Sequence, residues 1–118
     1  MRAMIGVTLV VAALACAAPR VERRIAVETA ESSSIAQQRQ VELAMMVKHD
    51  CGSCHGLTLK GGLGKPLLRE SLQALPQETL AALILDGVPG TAMPPWLGIV
   101  TREEAMWIAA GLRQGAFN

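Results

Sequence analysis

Apolar residues are spread unevenly along the chain: 15 of the first 18 positions are hydrophobic, against 45 of the remaining 100. Residues 1 to 18 combine Arg2, an apolar run from Ala3 to Leu14 and small residues from Ala13 to Ala18, the pattern of a cleaved export signal. The run falls short of the ~20 apolar residues that a membrane span needs, but an uncleaved anchor stays open as an alternative. So does a lipoprotein signal, Ala13-Leu14-Ala15-Cys16, in which Cys16 would carry the lipid; Ala13 stands where such sites usually have a larger aliphatic residue. The segment 19 to 34 (PRVERRIAVETAESSS) is polar, mixed in charge and serine-rich at its end, which predicts a flexible linker. Residues 35 to 118 are then the folded domain.

Within that domain the pattern is helical. Helix formers dominate from about Ile35 to Lys48, with Ser33 or Ser34 able to cap the start. A second helix is predicted from Pro76 to Asp86, with Leu80, Leu83 and Ile84 on one face and Gly87 as its stop. The last helix opens with a capping box, Thr101 and Glu104, and buries Ala105, Ile108, Ala109 and Leu112, with Trp107 widening the face. Between them, Gly61, Gly62, Gly64 and Pro66 mark one loop. A second, Gly87 to Pro95 (GVPGTAMPP), holds five Gly or Pro in nine residues and excludes both helix and central strand. No alternating β-branched run occurs, so the predicted fold is all-α, three or more helices with long loops.

Composition sharpens this picture at one point. The chain has only three aromatic residues, Trp96, Trp107 and Phe117, and no tyrosine. Aromatic side chains normally supply large blocks of buried area, and a domain of this size has little core to spare. Charge adds less: beyond residue 18 there are ten Lys/Arg and ten Asp/Glu, which implies no nucleic-acid surface. The length excludes a large barrel enzyme and a polytopic membrane protein.

Cys51-Gly52-Ser53-Cys54-His55 has the C-x-x-C-H spacing of covalent haem c attachment. On a helical turn, positions i, i+3 and i+4 share a face, so two thiols and an imidazole can converge on one porphyrin. Such a group would fill the place of the missing aromatics. Three rivals remain at this stage: a thioredoxin-like thiol pair, which would want a βαβ setting; a zinc site drawing on His49; and a structural disulfide. For haem, His55 is the predicted axial ligand on one side of the iron. Met93, in the stiff loop before Pro94 and Pro95, is predicted on the other. The Pro66 carbonyl is the predicted acceptor for the second ring nitrogen of His55. Trp96 and Trp107 are candidates to pack on the porphyrin or, equally, between helices. Met45, Met46 and Met106 are expected in the core, and His49 in solvent.

These motifs together, CGSCHG, GLGKPLL, GTAMPPW and TREEAMWIAAGLRQG, resemble class I cytochromes c over roughly residues 35 to 115. More narrowly, the chain is similar to the small mono-haem cytochromes c encoded beside the dissimilatory nitrite reductase of denitrifying bacteria. The resemblance implies thioether links at Cys51 and Cys54, axial ligation by His55 and Met93, and a periplasmic electron carrier rather than an enzyme. Its partners would be redox proteins: the nitrite reductase and an upstream donor. Electron supply to haem d maturation is left open as an alternative, as is small-ligand binding at an open iron if Met93 does not ligate. Lys65 separates Gly64 from Pro66, where that family usually has Gly-Pro.

Overall fold

From Arg20 to Ser34 the chain contains no glycine and no proline after Pro19, and it is rich in Arg, Glu and Ala. In the computed structural model, which describes residues 20–118, this stretch is helical, so the first helix extends back from the predicted start near Ile35 into the segment expected to be a linker over 19 to 34. Serine costs only a few tenths of a kcal/mol inside a helix, too little to interrupt such a run. The export signal and Cys16 lie outside the described residues. Helix α1 spans Arg20–Met46 and is followed by a five-residue π turn, Val47–Cys51, and by α2, Gly52–His55. The contacts of the chain divide between Ser33 and Ser34. In the first unit Val21, Ile25 and Val27 are all more than half exposed.

In the second unit, α3 (Arg69–Leu72), α4 (Gln77–Asp86) and α5 (Arg102–Gln114) complete the fold. The described residues contain no strand, only an isolated bridge between Leu97 and Val100. The core gathers Leu43 and Val47 from the first helical run, Leu59 and Leu72, Leu80, Ala81 and Leu85 from α4, Val100, and Ala105, Ile108, Ala109 and Leu112 from α5. No aromatic is among them. Trp96, Trp107 and Phe117 pack only at the margin.

The face expected of α5 is buried as predicted, whereas α4 is rolled. Ala81 is buried beside Leu80 and Leu85, while Leu83 and Ile84 are half-buried. Small residues on both helices, Ala81 on α4 and Ala105 and Ala109 on α5, let the two approach closely. Met46 and Met106 pack against the core, but Met45, also expected there, is 51% exposed. It follows Ala44 on the side of the helix away from Leu43 and Val47.

The capping box of α5 is complete: the Glu104 N–H donates to Thr101 Oγ1 at 3.2 Å and the Thr101 N–H to Glu104 Oε2 at 2.8 Å. The same carboxylate holds Arg39 of α1. Arg39 Nε donates to Glu104 Oε1 at 2.6 Å, and its terminal nitrogens reach Glu104 Oε2, Glu42 Oε2 and the Ile99 carbonyl. Donation from Arg39, then from the Thr101 N–H, holds the Glu104 carboxyl below the usual carboxylate range. One side chain thus ties α1 to the start of α5.

Candidate functional site

The π turn brings α1 into the two cysteines. Its wider winding shows in the Gly52 N–H, which is shared between the carbonyls of His49 and Val47. Val47 is wholly buried, and Cys51 after it packs half-buried against the core. Ser53 Oγ donates to the Asp50 carbonyl at 2.6 Å. Cys54 and Ser53 are exposed, and His55 is half-buried at the last position of α2.

Both thiols are free, which removes the disulfide alternative in this structure. Burial, with a smaller contribution from Asp50, pushes the Cys51 thiol up to about 11. A thioredoxin-like pair needs the opposite shift. Among the described residues no group of three or more His, Cys, Asp or Glu side chains could hold a metal ion, and His49 is exposed on the π turn. The zinc reading therefore has no ligand set.

A glycine loop closes over the end of α2. The Gly61 N–H donates to the His55 carbonyl at 2.8 Å and the Gly64 N–H to the Cys54 carbonyl at 2.9 Å. The Nδ1 of His55 lies 2.6 Å from the carbonyl of Lys65. A carbonyl only accepts, so Nδ1 carries the proton and Nε2 keeps its lone pair for a metal. The acceptor predicted at Pro66 is thus corrected to Lys65. The residue standing between Gly64 and Pro66 displaces the register by one, while the Leu67 N–H, donating to the Leu59 carbonyl at 2.9 Å, fixes the chain beyond it. The pre-proline position was the available signal, since a residue before proline is held extended.

The second loop is bound to the C-terminal end of α4. The Val88 N–H donates to the Met93 carbonyl at 3.2 Å, and the Met93 N–H to Thr91 Oγ1 at 3.2 Å. Beyond the two prolines, the Trp96 N–H bonds to the carbonyls of Ile84 and Leu85, and the Leu97 N–H to Leu85. Gly87 makes this possible. Its φ is 67°, and a Cβ there would lie 2.7 Å from the Met93 carbonyl oxygen and from backbone atoms of Pro94 and Pro95. Met93 is half-buried, so its thioether is not consumed by the core. Trp96 is half-buried beside it in sequence, whereas Trp107 packs edge-on to Phe117 with ring centroids 5.6 Å apart.

Two free thiols, an imidazole with Nε2 to spare and a thioether on a braced loop make a donor set that fits haem c. Comparison with known proteins agrees. A family model described as cytochrome C oxidase, cbb3-type, subunit III matches residues 38–110. Cytochrome c55X of Paracoccus denitrificans is 52% identical over 71 residues, which are 60% of this chain and 69% of that protein. Cytochrome c55X of Pseudomonas aeruginosa is 46% identical over 78 residues, 66% of each chain. Among solved structures, the c-type cytochrome NirC superposes with a TM-score of 0.66 at 45% identity, covering 68% of this chain and 94% of that one.

Proposed function

Because the chain belongs to the c-type cytochromes of the c55X and NirC kind, and is an electron carrier with covalently bound haem c, we propose that it works in the periplasm and passes single electrons to the dissimilatory nitrite reductase system. When bound, haem c supplies a one-electron iron couple. Cys51 and Cys54 would hold it by thioether bonds, and His55 and Met93 would supply the nitrogen and sulfur donors to its iron. The observation that carries this assignment is the His55 to Lys65 hydrogen bond, because it commits Nδ1 and presents Nε2 directly after the two thiols. The bond also fixes the ring. Met93 is held by its own loop, where Pro94 and Pro95 lower the entropy lost on ligation. Were both residues to bind the iron, no site on it would be left for a substrate, which suits a carrier.

The apolar run of residues 1 to 18 supports export, and among the described residues no helix is long and apolar enough to cross a membrane. The likeness to the c-type cytochrome NirC supports a place in denitrification, which is where such a partner would act.

The test is the absorption spectrum of the exported protein. Low-spin haem with a methionine-to-iron charge-transfer band is expected, and Met93→Ala abolishes that band. A high-spin ferric spectrum unchanged by Met93→Ala overturns the ligand assignment. Rapid oxidation of the reduced protein by purified nitrite reductase and nitrite is the expected sign of the partnership; no oxidation above the rate without the enzyme removes it.

A further inference from the structure

The loop over α2 does more than supply a carbonyl. Gly64 is pinned on both sides: its N–H is bonded to the Cys54 carbonyl, and the next carbonyl, that of Lys65, accepts from His55 Nδ1 at 2.6 Å. Between these two anchors the Gly64 Cα has to pass across the imidazole. A Cβ at this position would lie 2.6 Å from both Cε1 and Nδ1 of His55, and 3.1 Å from Cγ. Ordinary carbon contacts begin near ~3.5 Å. The φ of Gly64 is not in the left-handed region, so space, and not backbone freedom, is what demands glycine here.

We propose that Gly64 is a positioning residue for the axial ligand: its bare Cα forms the surface against which the His55 ring rests and, with the Lys65 carbonyl, sets the ring's rotation. This rests on the assignment of His55 to the iron. An added methyl group would turn the ring or lengthen its hydrogen bond. Either change alters the orientation of the ligand, one of the levers that tune a metal centre from its surroundings.

Gly62 offers a matched control. A Cβ there would lie 2.7 Å from the Cys54 carbonyl oxygen, an equally severe clash in the same loop, but none of its nearest neighbours is a ring atom of His55. The experiment compares Gly64→Ala and Gly62→Ala holoproteins with the wild type by melting temperature, reduction potential and the g values of the ferric low-spin signal. Both variants are expected to melt lower. Only Gly64→Ala is expected to shift the g values and the potential. Acquisition of haem by Gly62→Ala but not by Gly64→Ala also supports the proposal. Unchanged g values in Gly64→Ala, equal shifts in both variants, or failure of both to acquire haem overturns it. A wild-type protein lacking any low-spin signal would instead overturn the axial assignment itself.

Discussion

At the scale of single residues, the fold relies on a few side chains with more than one role. Glu104 closes the capping box of α5 and holds Arg39 through two of its nitrogens. Its carboxyl is depressed, so the stability it contributes is present above the usual carboxylate range, near ~4.3, and is lost as pH falls through its folded value. Glutamine can still close the capping box, so Glu104→Gln removes the charge and one of the two oxygens that accept from Arg39 while sparing the cap. The pair is solvent-accessible, so only a small drop in melting temperature is expected at pH 7. Denaturation at a series of pH values should show wild type and variant converging in acid. The residues proposed to hold the haem, Cys51, Cys54, His55 and Met93, stand out in the sequence by their spacing and by the glycines and prolines around them. The partners Arg39 and Lys65 do not, because a carbonyl or a guanidinium carries no sequence pattern until the loop it meets has been folded against it.

At the scale of elements, local signals foretold α4, α5 and the C-terminal stop of α4 within a residue or so. The start of α1 was missed because mixed charge and serine read equally as linker and as helix, and only the absence of Gly and Pro separates the two. The π turn was also missed, since its wider winding is a local expansion within a continuous helix and not a change of residue type. Gly87 joins α4 to the methionine loop. Gly87→Ala would combine a positive φ with a backbone collision, at a cost of roughly 1 to 3 kcal/mol. The expected first consequence is loss of the methionine-to-iron band, below the temperature at which far-ultraviolet circular dichroism reports melting, because the strain falls on the loop and not on the helices. Coincident loss of band and helix would show that loop and core open together.

At the scale of the whole molecule, the core consists of aliphatic residues and alanine, with its three aromatics at the edge. A haem is a large, flat and mostly apolar body, and it accounts for a domain that manages without a buried phenylalanine or tyrosine. The Cys51→Ala/Cys54→Ala double variant is therefore expected to lose helical circular dichroism together with its colour. A colourless variant with full helicity would show that the protein core suffices alone. What the sequence determined by itself was the all-α class, the haem motif and the positions of the proposed ligands along the chain, because each depends on spacing within a turn or a loop. What only the tertiary structure decided was which carbonyl orients His55, which glycine lies against its ring and which side chain binds α1 to α5. Those are contacts between segments from nine to 65 residues apart, and their register follows from how the loops close over the helices.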